Sequence, residues 1–166
     1  YSVIAKMDKQ FLGYSDLTTI LNAIYAKTGQ TGGLYQIRNV LYKERKQQMA
    51  DVRDVLCDGS DALYRIDYHY VQGTEMHGIV VGGNIRCFLK LAGTAYMPDL
   101  HGKILLLEGR SGTVARMETY LSQLQQIGAF EQIAGILLGT FTEMEAKQCT
   151  PDIVQLVERY AGDNMP

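Results

Sequence analysis

Apolar side chains recur at Leu17, Ile20, Leu21 and Ile24, the i, i+3, i+4, i+7 spacing of a helix with one buried face. The apolar lead-in Phe11-Leu12 breaks at Gly13, so Ser15 falls at the junction of a predicted strand and a predicted helix. Gly29, after Ala26-Lys27-Thr28, supplies the left-handed residue that ends a helix. Residues 29–39 are Gly-rich and polar and read as a loop or crossing segment. A charged helix is predicted from Leu41 to Leu56, with Met49, Val52 and Leu56 on one side. Residues 63–71 alternate ring or aliphatic groups with polar ones, which predicts a half-exposed strand.

The second half alternates more regularly. Gly78 to Asn84 reads as a short buried strand ending in a glycine pair, and Asn84 caps a helix with apolar face Ile85, Phe88, Leu89 and Ala92, closed by Gly93. Lys103 to Glu108 is a strand apolar on both faces. Val114, Met117, Leu121 and Leu124 then keep helical register, with Gly128 past the end, and Ile133 to Gly139 is another buried strand. Thr150-Pro151 predicts an N-cap followed by proline at the first helical position, leading into Ile153, Leu156, Val157 and Tyr160. Strand, helix, strand, helix with short connections predicts an α/β layer architecture with parallel strands. No internal repeat or low-complexity tract is present.

Composition narrows the partners more than the fold. The 166 residues are 46% hydrophobic and 20% charged, with a formal charge of −2. The one basic stretch, Lys43-Glu44-Arg45-Lys46, is interrupted by an acid, which argues against a nucleic-acid partner. Cys57, Cys87 and Cys149 are odd in number and far apart, so reduced thiols fit better than disulfides or a metal site. No apolar run approaches the ~20 residues that span a bilayer. The chain starts at Tyr1 and reads as part of a longer protein.

Candidate chemistry leaves two readings at each residue. Ser15 is either a helix cap or a nucleophile held at a strand-to-helix turn; Leu17 stands where a GxSxG pattern would have its second glycine. Glu108 ends an apolar strand, where an acid serves chemistry in an open sheet, or is a solvated loop acid before Gly109. His69, His77 and His101 lie in no recognisable catalytic setting and read as structural or surface residues. Gly82-Gly83-Asn84 could cradle an anion or serve tight packing. The tyrosines of residues 63–70 read as sheet packing rather than a stacking platform.

Five segments in order resemble one family. Phe11-Leu12-Gly13-Tyr14-Ser15-Asp16-Leu17-Thr18, Ala26-Lys27-Thr28-Gly29, Val81-Gly82-Gly83-Asn84, the run Pro98 to Glu108, and Ile133 to Phe141 are similar to the LD-carboxypeptidases. These are serine peptidases of murein tetrapeptides, and the microcin C self-immunity peptidases are among them. The resemblance implies the end of an N-terminal flavodoxin-like α/β domain joined to a C-terminal α/β domain, both incomplete. Its bounds would be 1–32 for the nucleophile-bearing part, 33–72 for a poorly matched connection, and 73–166 for the C-terminal domain.

The same resemblance implies Ser15 as nucleophile, Glu108 as the orienting carboxylate and the Asp16 backbone N–H as an oxyanion donor. The family's histidine sits in a Gly-His segment that no residue up to Asn164-Met165-Pro166 matches, and the glycine-rich oxyanion segment of the first domain has no match either. Residues 1–166 alone are therefore expected to be inactive. The implied function is cytoplasmic release of D-alanine from L,D-linked murein peptides during wall recycling. It needs no cofactor or metal and no membrane, and a homodimer is compatible with the family. A microcin-immunity-type hydrolase of peptidyl-nucleotides and a non-catalytic binding module remain as alternatives.

Overall fold

The computed structural model describes residues 1–42, 44–162 and 165–166. Lys43 of the basic stretch and Asn164 lie outside them. The chain divides into two units, residues 1–34 with 70–166, and residues 35–69. The first begins with a short 3-10 turn, Ile4–Lys6, and then β1 (Leu12–Gly13), α1 (Leu17–Thr28) and β2 (Gly33–Leu34). β1 and β2 pair in parallel, Leu12 opposite Gly33 and Gly13 opposite Leu34, so α1 is the crossover of a small βαβ turn. Gly29 closes α1 at φ +73°, as the sequence predicts.

The second unit holds a 3-10 turn (Ile37–Leu41), α2 (Arg45–Asp58) and a second 3-10 turn (Ala62–Tyr64). The helix expected from Leu41 forms only from Arg45, because Glu44 is left-handed at φ +59°. Of its predicted apolar side only Val52 is buried, while Met49 and Leu56 are exposed. The strand expected over residues 63–71 does not form. Alternation favours a pleated, half-buried surface, but a strand also needs a neighbour for its N–H and C=O groups. Here Ser60 Oγ accepts the Ala62 N–H and Arg65 pairs with Asp61, so local turn bonds are made instead.

Back in the first unit, β3 (Val80–Asn84), α3 (Ile85–Phe88, extended by a 3-10 turn through Leu91), β4 (Ile104–Gly109), α4 (Val114–Gln126), β5 (Gly135–Phe141), α5 (Thr142–Ala146) and α6 (Ile153–Ala161) follow. The three long strands form one sheet in the order β3-β4-β5, all parallel, with Leu105 facing Val81 on one side and Ile136 on the other. Its core joins Leu105 and Leu107 of β4, Ile85 and Phe88 of α3, Met117, Leu121 and Leu124 of α4, and Leu156 and Val157 of α6. α6 starts two residues later than Thr150-Pro151 predicts. Asp152 is its cap, accepting the Gln155 N–H at 2.9 Å while Gln155 Oε1 accepts the Asp152 N–H at 3.1 Å.

Candidate active site

Ser15 sits between β1 and α1 at φ +57°, a left-handed conformation that L side chains rarely adopt. Holding a serine there costs about 1–3 kcal/mol, which persists only where the surroundings over-determine it. Tight geometry explains Gly13: a Cβ at that position would lie 2.6 Å from Leu17 Cβ. The turn closes with the Leu17 N–H on the Tyr14 carbonyl (3.2 Å) and the Thr18 N–H on the Ser15 carbonyl (3.0 Å). The N-cap of α1 is Asp16, whose side chain makes no capping bond. Among the described residues the Ser15 hydroxyl and the Asp16 N–H have no hydrogen-bond partner. An uncommitted hydroxyl and an uncommitted N–H at a helix start are what a nucleophile and an oxyanion donor require.

The buried face of α1 matches the apolar stripe of the sequence pattern only in part: Ile24 is buried and Leu21 half-buried. Leu17 and Ile20 are exposed, whereas Thr18, Asn22, Ala23 and Ile24 are buried. Thr18 Oγ1 accepts the Asn84 N–H at 3.1 Å. The Asn22 amide acts as a stand-in for a strand neighbour: it receives the Gly82 N–H at 2.9 Å and donates to the Gly82 carbonyl at 2.8 Å. Thr19 Oγ1 donates to the Cys87 carbonyl at 2.7 Å. The glycine pair makes this contact possible. A Cβ on Gly83 would lie 2.8 Å from Thr18 Oγ1, and one on Gly82 would overlap the Leu106 carbonyl oxygen. Of the two readings of Gly82-Gly83-Asn84, close packing is the one these contacts support. Thr18 and Asn22 are the residues that sequence reasoning missed; their only signal was an i, i+4 polar pair behind a helix start.

These contacts carry α1 to the C-terminal end of β3, where Asn84 pairs in register with Glu108 of β4. Asn84 is buried and caps α3, its side-chain oxygen accepting the Cys87 N–H at 3.3 Å. Glu108 is partly buried, and its Oε1 lies buried without a partner. Burial pushes its carboxyl above the usual carboxylate range, and the nearby Asn84 side chain holds it down in part by hydrogen bonding. A half-desolvated carboxyl with an unfilled oxygen at a strand's end can accept a hydrogen bond from an incoming N–H donor. It is not the solvated loop acid of the plainer reading.

The histidines stand apart from this arrangement. His101 Nδ1 lies 2.7 Å from Asp99 Oδ1, His77 lies 3.6 Å from Glu75, and His69 is exposed. Among the described residues no group of His, Cys, Asp and Glu could hold a metal ion, and no helix is long and apolar enough to cross a membrane.

Comparison with known proteins gives the family and the fold. The family described as LD-carboxypeptidase C-terminal domain matches residues 77–165. A Treponema pallidum protein named as a carboxypeptidase is 31% identical over 170 residues, covering 85% of this chain and 49% of its own. The murein tetrapeptide carboxypeptidase of Pseudomonas aeruginosa is 25% identical, covering 95% and 54%. The microcin C7 self-immunity protein MccF of Escherichia coli is 26% identical, covering 84% and 50%. The solved structure of MccF in its inactive mutant apo state superposes with a TM-score of 0.77 at 22% identity, over 100% of this chain and 59% of that one. The chain thus spans about half the length of the curated relatives it matches. With its family domain over residues 77–165 and its parallel α/β architecture, this chain belongs to the LD-carboxypeptidase family.

Proposed function

We propose that this chain carries the nucleophile and the orienting carboxylate of a serine-type LD-carboxypeptidase, which releases D-alanine from a murein tetrapeptide. The observation that carries the reading is the Ser15 turn: a left-handed serine with an uncommitted hydroxyl, docked through Thr18 onto the strand end that presents Glu108. Ser15 Oγ attacks the carbonyl of the L,D bond while a histidine takes its proton. The Asp16 N–H stabilises the oxyanion, D-alanine departs with the proton returned to its nitrogen, and water then releases the shortened peptide. Glu108 accepts the other ring N–H of that histidine and so sets its tautomer. The resemblance places the histidine in a Gly-His segment that no residue in 1–166 matches, so residues 1–166 alone are expected to be inactive. In this reading residues 1–32 end the nucleophile domain and 73–166 belong to the C-terminal domain. The enzyme acts in the cytoplasm during wall recycling, without cofactor, and a homodimer is compatible with this reading.

The likeness to MccF, solved elsewhere in complex with glutamyl sulfamoyl guanosine, supports a second reading with the same serine but a peptidyl-nucleotide substrate. One assay separates them: the full-length protein is given a tetrapeptide ending in D-alanine and, in parallel, a peptidyl-adenylate mimic. D-alanine release that falls ~10⁴-fold or more in Ser15→Ala is the expected result. Cleavage of the adenylate mimic alone would move the assignment to the second reading. Activity unchanged by Ser15→Ala would remove Ser15 as the nucleophile, and hydrolysis of neither substrate would make the fold a binding module.

A further inference from the structure

Asp16 does not use its carboxylate as an N-cap usually does. Instead of bonding the free N–H groups of α1, the side chain crosses to α3. There a single oxygen, Oδ1, receives Arg86 Nη2 at 2.9 Å, Cys87 Sγ at 3.0 Å and Lys90 Nζ at 3.4 Å. Arg86 Nη2 also reaches Cys87 Sγ at 3.7 Å. The Cys87 hydrogen bond, then the Lys90 hydrogen bond and the two cationic charges, hold the Asp16 carboxyl below the usual range. Cys87 itself is buried, and that burial, followed by the bond to Asp16, raises its pKa and keeps it a thiol that donates. Asp16 has a short side chain, so fixing its carboxylate fixes its backbone within narrow limits. That backbone includes the uncommitted N–H and follows directly on the strained Ser15.

We propose that Arg86, seconded by Lys90, is a positioning residue for the nucleophile: by pinning the Asp16 carboxylate to α3 it holds the Ser15 hydroxyl and the Asp16 N–H in attack geometry. The inference rests on the reading of Ser15 as the nucleophile. Neither cation needs to touch substrate. Both are about half exposed, at 53% and 49%, so their pairing with Asp16 adds little to overall stability. Its effect falls instead on a residue that must be kept out of its preferred conformation. Displacements of this kind, at a distance from the reacting atoms, cost rate rather than affinity.

The test uses the full-length protein and two readouts, steady-state hydrolysis of the tetrapeptide and the rate at which a fluorophosphonate labels Ser15. The second reports attack by the serine without any peptide. In Arg86→Ala, kcat and the labelling rate are expected to fall together by roughly 10-fold, with KM within about twofold and Tm within about 2 °C. Arg86→Lys should recover most of the loss, and Arg86→Ala with Lys90→Ala should lose more. Added salt should slow labelling of the parent and leave the double variant unaffected. Labelling of Arg86→Ala at the parental rate overturns the inference, as does a rise in KM with kcat unchanged, the sign of direct substrate contact. A parent that resists labelling overturns the nucleophile reading itself, and this inference with it.

Discussion

At the end of β3, Asn84 enters α3 with φ −61° and ψ 114°, and its side chain accepts the Cys87 N–H. At the end of β1, Ser15 enters α1 with φ +57°, and its hydroxyl bonds nothing among the described residues. Both are small polar residues at strand-to-helix turns, and both fit the composition of a helix cap. The first is a cap because the bond is made. The second occupies a costly conformation, and although its carbonyl accepts the Thr18 N–H, its hydroxyl makes no capping bond. Strain of this kind clusters at functional sites, which supports the proposal that Ser15 is placed for chemistry.

The difference can be broken or sharpened by substitution in the full-length protein. The largest expected effect is on the support that both turns share. Gly82→Ala puts a Cβ onto the Leu106 carbonyl at a residue whose φ is +105°, and a stability loss of roughly 3 kcal/mol or more is expected in urea unfolding. A near-neutral result would mean that β3 can move away from the Leu106 carbonyl of β4 without loss of the sheet that carries both turns. Next comes the direct contrast of the two turns. Asn84→Ala removes a cap and should cost about 1 kcal/mol, whereas Ser15→Gly relieves a left-handed serine and should gain up to about 1 kcal/mol while abolishing hydrolysis. Equal losses in both variants would return Ser15 to the status of a cap.

The smallest effect concerns Glu108. Its raised pKa means that the native state keeps a proton which the unfolded chain has already released. The stability linked to this group is complete below the ordinary carboxylate range and is lost as pH rises through the raised native value. Glu108→Gln, neutral throughout, should therefore unfold up to about 2 °C higher than the parent at neutral pH. The gap should close on acidification below the ordinary carboxylate range. A constant gap across that window would show that the carboxyl is not desolvated in the native state.

Much of the sheet was legible in the chain. The run Ile104 to Leu107, the cap at Asn84 and the left-handed Gly29 stand where the pattern places them, because burial on both faces and local capping leave short-range signatures. The strand expected at 63–71 does not form, and its start is taken up by local turn bonds at Asp61, which alternation does not report. The apolar stripe of α1 misled in part, for a related reason. Leu17 and Ile20 obey the helical period yet stay exposed, and Thr18 and Asn22 are buried because a glycine pair some 60 residues away admits their polar atoms.

By itself, then, the sequence determined the alternation of strands and helices, the place of Ser15 at a turn and of Glu108 at a strand end, and the family resemblance. Those depend on side-chain periodicity and on residues adjacent in the chain. Only the tertiary structure decided that Ser15 is held left-handed, that its helix docks through threonine and asparagine rather than leucine, and that Asp16 is pinned to α3. The last two are contacts between residues some 60 to 75 positions apart, which no pattern of neighbouring residues reports.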